Sequence, residues 1–254
     1  MPHLFVNRKR LMNLAGDPAD LPGHFRWETI NAILYTFGGL VFIVGSILFF
    51  PRFAAHADLG AWTFFFGSLI YLVVTGHDLL ESLHARRLGA QTGWQHRLTL
   101  AAAITYNIGT LLFIAGSLLF LSWIDRVEAS AWCFISGSLL FVLGACINVL
   151  QIVRERSLAT LQLMNLTAIS FIVGALLFTV ASVPYLWHIQ NSETQRTLYA
   201  FLAWQYLVGS LLFFLGGLFN YWRAYLLVQT ALAEDPSDDR ASPPLAVDPE
   251  EAQH

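Results

Sequence analysis

Apolar residues run through this chain in long unbroken stretches. Counting Asp, Glu, Lys and Arg alone, six windows carry no charge: 29–51, 59–77, 98–124, 129–153, 157–192 and 197–222, with 23, 19, 27, 25, 36 and 26 residues. A helix needs about 20 mainly apolar residues to cross ~30 Å of hydrocarbon. Each window therefore holds one span, and even the longest cannot hold two spans and a turn. The pattern predicts an all-α, polytopic membrane protein with six transmembrane helices.

A short phrase recurs in each predicted helix. Helix 1 has Phe42, Gly45, Ser46 and Phe49; helix 2 has Phe64, Gly67, Ser68 and Tyr71. Helix 3 has Phe113, Gly116, Ser117 and Phe120, and helix 4 has Phe134, Gly137, Ser138 and Phe141. Helix 5 is a degenerate copy (Phe178, Ala181, Ser182, Tyr185), while helix 6 has Tyr206, Gly209, Ser210 and Phe213. Odd helices add Gly38, Gly109 and Gly174 seven residues before the central position; even helices add Trp62, Trp132 and Trp204 five residues before it. The repeating unit is thus a two-helix hairpin present three times, and all three hairpins point the same way. Such hairpins suit a pseudo-threefold axis along the membrane normal and differ from the inverted repeats of many transporters. Offsets of three, four and seven put the glycines and aromatics on one stripe. Small residues on such a stripe are what helices packing in lipid require. Gly38, Gly45, Ser46, Gly67, Ser68, Gly109, Gly116, Ser117, Gly137, Ser138, Gly174, Ser182, Gly209 and Ser210 are accordingly expected at helix seams.

Composition agrees. Apolar residues make up 56% of the 254 and charged residues only 12%, half the ~25% of a soluble domain. This excludes a soluble enzyme and a disordered chain, and a net charge of −3 gives no field for nucleic acid. With the amino terminus inside, 11 of the 14 Lys and Arg residues fall on inner segments, leaving Arg52, Arg126 and Arg196 outside. The positive-inside rule then puts both termini in the cytoplasm. All eight tryptophans fall near predicted interfaces, where indoles anchor. No cleavable signal peptide is read before the first span. The expected organisation is a cytoplasmic segment 1–28, hairpin repeats at 29–81, 97–152 and 157–228, and a disordered acidic tail at 229–254.

The stretch from Asn31 to Glu81, NAILYTFGGLVFIVGSILFFP followed by GAWTFFFGSLIYLV, resembles a YrhK domain, a short bacterial membrane module built as a helical hairpin with this Gly-Ser phrase in both helices. The resemblance is best in repeat 1, clear in repeat 2 and weaker in repeat 3, which carries Pro184. It implies a helical-hairpin fold and a bacterial cytoplasmic (inner) membrane. It implies no catalytic residue.

Candidate chemistry is sparse. No predicted span has Asp, Glu, Lys or Arg in its middle, which disfavours a mid-membrane proton relay. Polar residues Asn31, Asn107, Asn148, Asn165, Gln205 and Asn220 suit interhelical hydrogen bonds; Asn31, Asn107 and Asn165 could alternatively form a cytoplasmic-side vestibule. The inner loop after helix 2 is richest in polar groups. On a continued helix His77, Glu81 and His84 share a face with metal-like spacing. Lacking a fourth ligand, a solvated helix end with Arg86 and Arg87 near lipid headgroups is the favoured reading. No catalytic residue, metal or cofactor is expected. Cys133 and Cys146 build neither a disulfide framework nor a metal cluster.

These features favour a non-enzymatic module that packs against the bilayer and against a membrane-protein partner or a second copy. A channel or carrier for a small neutral or weakly polar solute, or a lipid-binding protein, is the alternative. A dry, Phe-filled centre would speak against a channel.

Overall fold

The computed structural model describes residues 21–87, 93–151, 158–187 and 191–233. Each charge-free window becomes one helix: α1 (Leu21–Leu48), α2 (Ala57–Arg87), α3 (Trp94–Leu119), α4 (Val127–Val149), α5 (Leu158–Ser182) and α6 (Ser192–Ala233). All six are long and apolar enough to cross a membrane, and no strand occurs among the described residues. Short 3₁₀ turns at Pro51–His56 and Val183–Leu186 follow α1 and α5, each with a proline in its first two positions, where the missing N–H costs nothing. Of the expected cytoplasmic segment 1–28 and tail 229–254, residues 1–20 and 234–254 lie outside the described residues, whereas 21–28 and 229–233 are helical, as the first turns of α1 and the end of α6.

The helices form a ring in chain order. Each packs on its neighbours, and α6 closes back onto α1. Six antiparallel crossings bring the start of α1 and the end of α6 to the same end of the ring, here called the terminal face. At the opposite, far face, the carboxylate of Asp58 accepts hydrogen bonds from the Ser122 N–H (2.8 Å) and hydroxyl (2.6 Å). This ties the beginning of α2 to the α3–α4 turn. Asp125 closes that turn with φ 50°, a left-handed conformation that Asp tolerates better than most residues.

Glycine and phenylalanine build each hairpin seam reciprocally. A Cβ on Gly45 would meet the Phe64 ring at 2.7 Å, and one on Gly67 would meet the Phe42 ring at the same distance. Gly109 and Gly137 face one another's backbone with Phe141 and Phe113 beside them, and Gly174 and Gly209 do the same with Phe213 and Phe178. Gly38 accommodates Tyr71, and Gly116 lies against Cys133 and the Ser130 carbonyl. The glycines are thus consumed inside the chain, where they let helices approach without a hydrophobic drive from lipid.

The aromatics opposite them converge on the axis of the ring. Phe42, Phe64, Phe113, Phe178 and Phe213, from five different helices, are each at most 2% exposed. Phe42 lies with its ring centroid 5.0 Å from Phe64, 6.2 Å from Phe113 and Phe178, and 6.4 Å from Phe213. The middle of the ring is filled with aromatic side chains.

The α1–α6 closure uses glycines that the recurring phrase does not mark. A Cβ on Gly39 would lie 2.8 Å from the Phe214 backbone, and one on Gly217 would lie 2.8 Å from the Thr36 Cα. Ser46 and Ser210 meet across the same seam at 2.9 Å.

Candidate functional site

α2 does not stop where its apolar window stops. No Gly or Pro interrupts the chain between His77 and Leu88, and Leu, Glu, Ala and Arg there favour helix. The helix therefore runs on to Arg87, so residues 77–87 of the segment read from the sequence as an inner loop are helical. Nor is its inner-facing stripe solvated: His77, Asp78 and Glu81 are 1–3% exposed. The expectation of a solvated end holds only for Arg86 and Arg87, which are exposed. The surrounding helices cover the other face.

The ligating atoms of His77, Asp78 and Glu81 all lie within 4.8 Å of one another. The sequence spacing put His77, Glu81 and His84 on one face; in the structure Asp78 lies with His77 and Glu81, and His84 is only half-buried. From α1, the Trp27 indole N–H donates to His77 Nδ1 at 3.0 Å, with the rings 4.3 Å apart. Beside Trp27, buried Glu28 faces Arg223 of α6 at 3.9 Å. Arg223 is 1% exposed and also donates from Nε and a terminal nitrogen to Asn220 Oδ1, at 3.2 and 3.1 Å. α6 continues to Ala233, so Arg223 sits within the helix instead of marking its end. The groups chain from α6 through α1 to α2.

A register rule connects them. Counting from the glycine of the even-helix phrase (Gly67, Gly137, Gly209), the eleventh residue is Asp78, Asn148 or Asn220, and the fourteenth is Glu81, Gln151 or Arg223. Asp78, Asn148 and Asn220 are all 0–1% exposed. One buried polar layer thus occurs in all three hairpins with three chemistries: acidic in the first, amide in the second, amide and cation in the third. In the second, Asn148 donates to the Tyr106 hydroxyl (3.2 Å) and Gln151 accepts from Thr99 (3.0 Å). The tenth residue is His77 in the first hairpin but Ile147 and Phe219 in the others.

The remaining sequence-predicted residues fall as follows. The hydroxyls of Ser46, Ser68, Ser117 and Ser182 donate to the carbonyls of Phe42, Phe64, Phe113 and Phe178, four residues back, the usual local bond of a helical serine. Ser182 also meets the Tyr206 hydroxyl at 2.8 Å, and Ser138 is fully buried. The serines line no open groove. Asn31 is buried on α1 one turn from Glu28, whereas Asn107 and Asn165 are half-buried on α3 and α5. The sequence reasoning missed Trp27, Glu28, Asp78 and Arg223 as members of a site, and the recurring register was the signal that could have found two of them.

A family model described as YrhK-like protein matches the chain twice, over residues 25–83 and 96–153. The two matches stand in tandem along the chain. The first is the α1–α2 hairpin with the acidic layer and His77, and the second is the α3–α4 hairpin with the amide layer. The α5–α6 hairpin lies outside the matched residues yet repeats the glycine–phenylalanine seam of both matched hairpins. No curated protein and no solved structure matches the chain.

Proposed function

We propose that this YrhK-like membrane protein is a non-enzymatic, non-conducting interaction module of the bacterial cytoplasmic membrane, which works by associating with a second copy or with another membrane protein. The observation that carries the reading is the aromatic plug: rings from five helices meet on the axis, where a carrier or channel needs a polar path. The Gly-Ser faces are spent on internal seams, so a partner would meet the outer surface of the ring. The excess of Lys and Arg on the terminal-face segments supports a cytoplasmic location for that face.

Two measurements test this. Native mass spectrometry from mild detergent should retain a defined homo-oligomer or a second protein in fixed ratio, and proteoliposomes should swell in glycerol or urea no faster than empty vesicles. A lone protomer that accelerates swelling would overturn the reading in favour of a carrier. For orientation, cysteines introduced at Ala57 and Glu128, with Cys133 and Cys146 replaced by serine, should label from outside the cell, whereas one at Arg87 should not. The reverse pattern would invert the topology.

A further inference from the structure

We propose that His77, Asp78 and Glu81 form a binding site for one divalent first-row transition cation, and that loading it releases the Trp27 indole from His77. The proposal goes beyond the interaction reading and does not depend on it.

Three observations converge. The first is the donor set. One imidazole nitrogen and two carboxylates, all but fully buried with ligand atoms within 4.8 Å, need to close only to the ~3.3 Å edge of a tetrahedron with ~2.0 Å bonds. Imidazole with carboxylates suits Zn²⁺ or Mn²⁺, whereas Mg²⁺ prefers oxygen alone and keeps its waters. The second is charge. Asp78 and Glu81 bring two carboxylates beside His77 in one nearly solvent-free cluster. Two buried carboxylates call for positive charge or hydrogen-bond donors beside them, and a divalent ion supplies that charge.

The third observation separates this site from ordinary packing. The same polar layer in the second hairpin holds Asn148 and Gln151 where the first holds Asp78 and Glu81, and Ile147 where the first holds His77. Neutral residues therefore occupy this layer of a hairpin in the same chain. The acids and the imidazole add charge and a ligand nitrogen that the fold itself does not demand.

Trp27 makes the site reactive to loading. An indole N–H only donates, so the Trp27 bond marks Nδ1 as the nitrogen carrying the lone pair. A cation on Nδ1 would displace the indole directly. A cation on Nε2 would move the imidazole proton to Nδ1, placing two N–H groups head to head. A ligating histidine normally gives its other N–H to an acceptor, which Trp27 is not. Either mode detaches the beginning of α1 from α2.

The test is Zn²⁺ titration by calorimetry of the full-length, chelator-stripped protein in detergent, with Mg²⁺ as control. One Zn²⁺ should bind per chain, with a change in tryptophan fluorescence that Trp27→Phe removes. His77→Gln, Asp78→Asn and Glu81→Gln should each weaken binding at least tenfold, while His84→Gln leaves it unchanged. Asp78→Asn and Glu81→Gln install the residues of the second hairpin, so the fold should tolerate them. Trp27→Phe should tighten binding several-fold because the competing donor is gone; a merely structural tryptophan would weaken it. The wild-type protein also reports alone, since Co²⁺ in a four-coordinate N/O site gives visible d–d bands. Absence of both heat and bands, or binding that survives Glu81→Gln and His77→Gln but fails in His84→Gln, would overturn the proposal.

Discussion

Gly39→Ala should be among the most damaging single-methyl additions in this protein, and Gly39→Leu should prevent recovery of folded protein from detergent. The new Cβ would lie 2.8 Å from both the Cα and the backbone nitrogen of Phe214. Backbone cannot swing aside as a side chain does, so α6 must move off α1 and the Ser46–Ser210 contact opens with it. Ordinary overpacking costs ~1–3 kcal/mol, and this collision should lie at the upper end or beyond. Two comparisons make the prediction specific. At Gly45 the obstacle is the Phe64 ring at 2.7 Å, which can tilt within the aromatic core, so Gly45→Ala should cost less. At Gly76 the nearest atom is 3.8 Å away, and Gly76→Ala should be neutral or stabilising by up to ~1 kcal/mol through helix propensity. Apparent Tm values in detergent falling in any order other than Gly39→Ala below Gly45→Ala below Gly76→Ala would show that ring closure does not depend on this approach.

The difference between Gly39 and Gly45 also shows what could be read in the chain and what could not. Helix number, hairpin pairing and the Gly–Phe seams followed from charge-free windows and a repeated phrase, because lipid imposes a length on every span and a size limit on every close seam. Gly39 and Gly217 share neither the phrase nor its spacing. They serve the one seam that joins distant parts of the chain, and that pairing follows from ring closure, which no local pattern encodes. The polar layer was half visible. His77 and Glu81 stood out by spacing, but reading 77–96 as a loop turned them towards solvent. Arg223 looked like a boundary charge because charge-free windows end at the first ionisable residue, whether or not the helix does. A buried charge at a span end is indistinguishable from a solvated one until its partner, here Glu28 on a helix far away in sequence, is placed beside it. The register relation among Asp78, Asn148 and Asn220 was present in the sequence all along; it carries polar residues of different charge, so a search for repeated residue identities passes over it.

Arg223→Met supplies the second large effect, expected to destabilise the protein by ~3–5 kcal/mol, the usual cost of removing one partner from a buried ion pair. The loss has two sources. Glu28 would remain buried without its guanidinium at 3.9 Å, and the Asn220 carbonyl would lose both donors now at 3.1 and 3.2 Å. Methionine keeps most of the volume and the flexible stem, so the measurement reads charge more than cavity. Arg223→Lys should recover only part of the stability, since one ammonium cannot reproduce a fork that meets Glu28 and Asn220 together. The decisive variant is the double one. If the guanidinium is there to compensate Glu28, Glu28→Gln should be destabilising by itself yet should restore a large share of the loss when combined with Arg223→Met, because both buried charges then disappear together. Additive losses in that double-mutant cycle, measured as Tm or denaturant midpoint in detergent, would mean that Arg223 compensates the acidic layer of the first hairpin as a whole. In that case Asp78→Asn or Glu81→Gln, in place of Glu28→Gln, should rescue Arg223→Met.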